Sequence, residues 1–307
     1  MSSLVRGVLL VATSALLLFS ASAVVGALNP GEPIACGSVE RERTEFQYAE
    51  FDGVDPDLTS LDVHTTPGAE GCPILVWVHG GSWQAGGKRT RATTVKADHY
   101  TQQGWTFVSV NYRLAAEDND VRWPDFGNDV ADAVAWTIDN AESFGGDPDR
   151  VSIIGHSSGA HLVSIVGTHP ELLTEQGSGL NAVNCVVSLD SVTQDLTDPP
   201  SFEEDIIDLA FPTNEQQVDG SPTLQALSAE QPYVGPDFLI VTRGADVRID
   251  SSERLAASIL GSGGTASVAD VSPYDHGQVS TELGVPGETL VTAPVDAFLN
   301  ACSSSGI

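Results

Sequence analysis

The chain has 307 residues, 42 Asp and Glu against 13 Lys and Arg, a formal net charge of −29, and 41% hydrophobic residues. This length fits one large α/β domain or two small ones with a sizeable core, and the apolar content excludes a disordered acidic chain. The charge argues against nucleic acid or an anionic membrane surface as partner, since both require a Lys/Arg surface; Lys88 and Lys96 are the only lysines.

In residues 1–27 a single Arg, Arg6, precedes an apolar run that ends among small residues, with Ala21-Ser22-Ala23 and Ala27 as cleavage positions. This is the layout of a secretory signal peptide. An uncleaved anchor is the alternative, disfavoured by the helix breakers Asn29-Pro30-Gly31. Removal of the segment leaves an expected N-terminal stretch at 28–59, a catalytic domain at 60–302 and a tail at 303–307. The mature chain is expected outside the membrane, secreted or periplasmic. Four cysteines remain, Cys36, Cys72, Cys185 and Cys302, an even count that suggests two disulfides in an exported chain. Three pairings are open. Cys36 with Cys72 and Cys185 with Cys302 is preferred, the first tying down the N-terminal segment and the second tying the last helix to the sheet. No Cys or His spacing fits zinc, and no metal is expected.

Five short apolar runs read as buried parallel strands: Ile74–Val78, Phe107–Val110, Val151–Ile154, Val183–Leu189 and Phe238–Val241. Between and after them lie helical patterns. Asp125–Asn140 places Val130, Val134 and Ile138 on one stripe, and Ser251–Leu260 and Leu290–Leu299 look similar. Strands alternating with helices imply a mostly parallel, doubly wound α/β sheet covered on both faces. Residues 196–232, rich in Pro, Asp and Glu, interrupt the alternation and read as an insertion that shapes a pocket.

The strongest chemical signal is Gly155-His156-Ser157-Ser158-Gly159, directly after one strand and before the helical Ala160-His161-Leu162-Val163. A serine on a tight strand-to-helix turn needs small neighbours and exposes its Oγ, which marks Ser157 as a nucleophile. A second signal, His79-Gly80-Gly81-Ser82-Trp83, follows the first strand. Acyl transfer needs amides converging on an oxyanion; those of Gly80, Gly81 and Ser82 can serve, with Ser158 as partner donor. Trp83 and Trp123 are pocket candidates, and His79 reads as a structural hydrogen bonder. A base and an orienting carboxylate must complete the set. Of seven histidines, His276 lies on a late turn that can reach over the sheet edge, whereas His156 and His161 flank the serine too closely. Asp246, just beyond the strand Phe238–Val241, is the expected acid. Asp250 reads as a helix N-terminal acid, and Asp275 adjoins His276 too closely.

Together these residues resemble the α/β-hydrolase superfamily over nearly all of residues 60–302. Asn111-Tyr112-Arg113-Leu114-Ala115 is similar to the NYRLAP element of carboxylesterases and hormone-sensitive-lipase-like enzymes, with Ala116 in place of proline. Phe144–Val151 matches their lead into the nucleophile strand, and Asp246–Asp250 resembles their DPLRD stretch, whose first Asp is the triad acid. His79–Trp83 as HGGxW and Gly155–Leu162 as GHSSGAHL are similar to arylformamidases and to acetylxylan/feruloyl esterase-like enzymes. A large N-terminal cap is not expected. The resemblance implies a cofactor-free serine esterase acting through an acyl-enzyme on a small or polymer-linked ester. An arylformamidase and a catalytically silent binding protein of the same fold are the alternatives.

Overall fold

The computed structural model describes residues 36–228 and 233–304. The expected signal peptide at 1–27 lies outside the described residues, as do 28–35, 229–232 and 305–307.

In chain order the elements are β1 (Glu42–Gln47), β2 (Ser60–Thr65), β3 (Cys72–Val78), α1 (Arg91–Gln102), β4 (Thr106–Val110), α2 (Asp125–Asn140), β5 (Gly146–His156), α3 (Ser158–Thr168), α4 (Pro170–Thr174) and β6 (Cys185–Leu189). The expected insertion then folds as α5 (Glu204–Ala210), α6 (Asn214–Asp219) and α7 (Pro222–Ser228). The remainder is β7 (Asp237–Thr242), α8 (Asp246–Gly261), β8 (Ala266–Asp270), α9 (His276–Thr281) and α10 (Thr292–Ser304). The eight strands form one sheet in the order β1-β2-β4-β3-β5-β6-β7-β8. β1 and β2 run antiparallel to their neighbours and the rest are parallel. This is the α/β-hydrolase arrangement expected from the sequence.

The central strands read as unbroken apolar runs because both of their faces are buried. Along β3, Ile74, Val76 and Val78 face a core that includes Val130 and Val134 of α2 and Leu162 and Val166 of α3. Leu75 and Trp77 face the opposite core, with Ala97 and Tyr100 of α1 and Val295 and Leu299 of α10. The sheet begins earlier than the expected boundary at residue 60: β1 is an added edge strand. It is almost wholly exposed and carries Glu42, Arg43 and Glu45, charges that discourage edge-to-edge pairing.

Disulfides join Cys36 to Cys72 and Cys185 to Cys302, with Cα–Cα distances of 5.5 and 6.2 Å. The first fastens the segment before β1 to the start of β3, and the second fastens α10 to the start of β6. The C-terminal ends of β3, β5 and β6 lie side by side, which is where open parallel sheets build their sites.

Candidate active site

Ser157 stands between β5 and α3 at φ 58° and ψ −124°. Only four non-glycine residues among those described have φ above zero, namely Ser82, Trp83, Ser157 and Asp190. All four line one cavity of about 170 Å³, together with His276 and Arg248. Left-handed backbone costs energy for residues with a Cβ and persists where surrounding structure enforces it. Its confinement to a single cavity therefore singles out that cavity. The turn around Ser157 is possible because a side chain on Gly155 would strike the carbonyl of Gly159, and one on Gly159 would strike the backbone of Val78 and His79.

His276, the first residue of α9, bridges two side chains. Its Nε2 lies 3.0 Å from Ser157 Oγ and its Nδ1 2.6 Å from Asp190 Oδ2. With Nδ1–H donating to the carboxylate, Nε2 is free to accept the serine proton. Asp190 directly follows β6; its side chain is fully buried and also accepts from Arg243 Nε at 2.8 Å and Arg248 Nη1 at 3.2 Å. Burial alone would raise this carboxyl, but the His276 hydrogen bond and the Arg248 and Arg243 contacts outweigh it and hold it below the usual value.

This geometry corrects one expectation. Asp246 is not the partner of His276: it opens α8 and is exposed. Four positions separate it from the end of β7, and in that interval the chain supplies Arg243 to Asp190 instead. Ser157 and His276 are brought together as expected.

The Gly80–Ser82 loop lies against Ser157. A side chain on Gly80 would meet Ser157 Cβ at 2.9 Å and the His156 carbonyl at 2.7 Å. Gly81 has φ 134°, and its carbonyl accepts from the amides of Gln84 and Ala85 at 3.0 Å each, closing the loop. His79 is buried, stacks on Tyr112 at 4.4 Å and donates from Nδ1 to the Gly80 carbonyl at 2.9 Å; burial pushes its pKa to about 4, so it stays neutral. Ser158 begins α3, whose positive end faces Ser157.

The two tryptophans part company. Trp83 lines the cavity but is 1% exposed, packed against His161, Phe211 and Phe126. Trp123 does not line it. It is buried beside Phe211 and donates from Nε1 to Asp219 at 2.7 Å, so it braces the insertion rather than a substrate. His161 donates from Nε2 to the Gly220 carbonyl at 2.7 Å and pins the same segment to α3. The insertion reaches the cavity through Glu203, just before α5, and Ile206 on α5.

Sequence reasoning missed Asp190, Arg243, Arg248 and His156. The imidazole of His156 donates from Nε2 to the His276 carbonyl at 2.7 Å and is held neutral by burial, its pKa pushed to about 3. For Asp190 a signal existed, an acid immediately after the expected strand Val183–Leu189. No group of His, Cys, Asp and Glu among the described residues is arranged to hold a metal.

The BD-FAE family model matches residues 61–228, more than half of the chain. The chain belongs to the BD-FAE family. The match includes Gly80–Ser82, Ser157 and Asp190 and ends before Arg243, Arg248 and His276. Among relatives from Mycobacterium tuberculosis, esterase LipC is 31% identical over 166 residues, covering 51% of this chain and 39% of LipC. Carboxylesterase NlhH is 29% identical over 233 residues, covering 72% of this chain and 70% of NlhH. This chain spans 22% of LipM, a probable carboxylic ester hydrolase, and 48% of esterase LipQ, both from the same organism. In fold it is similar to esterase B from Lactobacillus rhamnosis, with TM-score 0.69 and 20% identity over 90% of this chain and 89% of that one.

Proposed function

We propose that this chain is an exported serine hydrolase of carboxylic esters, and the observation that carries the reading is the single imidazole of His276 held between Ser157 Oγ and Asp190. In this mechanism His276 Nε2 takes the proton as Ser157 Oγ attacks the ester carbonyl, then returns it to the departing alcohol. Asp190 fixes the tautomer and stabilises the imidazolium. The amides of Gly80, Gly81, Ser82 and Ser158 receive the oxyanion. Water repeats the sequence on the acyl-enzyme and releases the acid. No step calls for a cofactor.

A cavity of about 170 Å³ whose lining includes Trp83 and Ile206 suits a short acyl group. The alcohol then points outward, which admits a small ester or one carried on a polymer. The esterase relatives support ester over formamide cleavage. Two disulfides support an oxidising compartment, and no helix among the described residues is long and apolar enough to cross a membrane.

The test is Ser157→Ala. The variant is expected to lose at least about a thousandfold in kcat on p-nitrophenyl acetate, and to lose labelling by a fluorophosphonate that marks the wild type. Retained turnover with retained labelling would refute the reading.

A further inference from the structure

Both lysines of this chain are buried, Lys88 at 2% and Lys96 at 0% exposure, although lysine is among the residues least often found inside proteins. Lys88 has carboxylate partners, Asp57 and Glu45. Lys96 has none within ion-pair distance among the described residues. Its Nζ donates to the Ser280 carbonyl at 2.5 Å, lies 3.3 Å from Ser280 Oγ and 3.5 Å from the Ala92 carbonyl, and sits 4.5 Å from the centroid of the Trp77 ring. Desolvating a cation in this way is costly, and a Met or Leu of similar volume would satisfy packing alone.

The position of these contacts explains what the cost obtains. Ser280 is near the C-terminal end of α9, and α9 begins with His276. A helix of six residues cannot hold itself together in isolation; contacts from outside must set its place. At its N-terminal end, Asp275 and Gln278 form a reciprocal cap, with Gln278 N donating to Asp275 Oδ1 at 2.8 Å, and His156 grips the His276 carbonyl. At its C-terminal end a positive charge is favoured by the helix dipole, and Lys96 supplies it. Trp77 lies on β3, the strand that runs into the Gly80–Ser82 loop, so one ammonium touches both the strand leading to the oxyanion loop and the helix carrying the base.

We propose that Lys96 is a positioning residue for His276, its ammonium setting the seat of α9 through the Ser280 carbonyl. The proposal rests on the reading of His276 as general base and adds to it a residue on the far side of the helix. Burial brings the Lys96 pKa down to about 7, which makes the grip sensitive to pH. The titratable and charged groups on the elements that meet Lys96 are Arg91, Asp98, His99 and Tyr100 on α1, His156 at the end of β5, and Asp275, His276 and Glu282 on and beside α9. Asp98 is taken by Arg41 and His99 by Asp296 of α10, and the charges of His276 and Lys96 both act on His156.

The test compares wild type, Lys96→Met and Lys96→Ala. Lys96→Met is expected to lower kcat on p-nitrophenyl acetate about tenfold, less than the roughly hundredfold that a misplacement of about 1 Å can cost, with KM within about twofold. Its Tm is expected to hold or rise, because a buried unpaired charge has been removed. Added n-propylammonium, which matches the missing part of the side chain, is expected to restore most of the kcat of Lys96→Ala. Between pH 7 and pH 9 the wild-type kcat is expected to decline several-fold while that of Lys96→Met stays flat. Wild-type kcat in Lys96→Met overturns the proposal. So does a fall in kcat that accompanies a fall in Tm and resists propylammonium, since that pattern means packing alone. Fluorophosphonate labelling rates follow the same order and need no ester turnover, so a wrong substrate class, which leaves labelling intact, is told apart from a wrong role for Lys96.

Discussion

β6 and β7 are adjacent parallel strands, and each is followed by an aspartate that could have served His276. After β6 the chain passes directly into Asp190, with φ 51° and its amide donating to the Val241 carbonyl of β7 at 2.8 Å. The carboxylate turns inward and meets His276, Arg243 and Arg248. After β7 the chain runs through Arg243, Gly244 and Ala245 before Asp246 opens α8 in solvent. The end of β6 thus supplies the anion, and the end of β7 with the first turn of α8 supplies two cations that hold it. A strand-end position makes an acid available; converging donors make it a member of the site.

The two strand ends are told apart most directly by neutralising each acid in turn. Asp190→Asn is expected to lower kcat by about 10³–10⁴, because an amide presents the wrong partner to His276 Nδ1 and loses the stabilisation of the imidazolium. Asp246→Asn is expected to stay within about threefold of wild type, in line with a solvated first-turn acid whose contribution is to the helix end. Steady-state kinetics on p-nitrophenyl acetate at neutral pH decides between them. The reverse pattern would restore Asp246 and dismiss the β6 end.

Stability separates the two acids next. Removing the Asp190 charge leaves two mostly buried guanidiniums without their anion, and denaturant unfolding at pH 7 is expected to show a loss of about 2–3 kcal/mol, near the low end for a broken buried pair. The folded-state carboxyl titrates below its usual value, so its stabilisation is complete above about pH 4 and is lost as pH falls through the folded value. The gap between wild type and Asp190→Asn should therefore narrow below about pH 4. Asp246→Asn is expected to shift stability by less than about 1 kcal/mol. A gap that persists unchanged into acid would mean the Asp190 cluster is not charge-paired.

The difference between the two acids also marks how far sequence reaches. Ser157 is legible because its strained turn, its two glycines and its flanking strand and helix are all local. The central strands are legible because burial on both faces leaves no polar positions, and α2 has the bounds its apolar stripe indicates. β2 escapes notice because only Leu61 and Val63 of its six residues are apolar, and β1 because an exposed edge strand needs no apolar pattern. The acid that meets His276 is a different kind of problem. Its partners come from the β7–α8 connection, from the first turn of α8 and from the start of α9, and no local pattern records their convergence. Asp190 and Asp246 both follow a strand, and the resemblance to DPLRD favours the one that does not meet His276. Trp123 misleads for a similar reason, as its indole is spent on Asp219 and the insertion.

The smallest effect concerns the net charge. Asp246 is typical of an acidic surface on which no described lysine is exposed, whereas Asp190 sits in a buried cluster. At 1 M salt the screening length falls to about 3 Å, which relieves repulsion among exposed acids and reaches buried pairs far less. Wild-type Tm is therefore expected to rise between low and molar NaCl by at least about 2–4 °C, the shift corresponding to about 1 kcal/mol in a chain of this size, with activity rising alongside. The increment should be the same in wild type, Asp246→Asn and Asp190→Asn, because one exposed charge is a small part of the total and the buried one is shielded already. A flat thermal response would show that repulsion among the exposed acids does not limit stability. A salt-dependent gap in Tm between wild type and Asp190→Asn would instead show water reaching the Asp190 cluster, and the contrast between the two strand ends would then rest on hydrogen bonding rather than on burial.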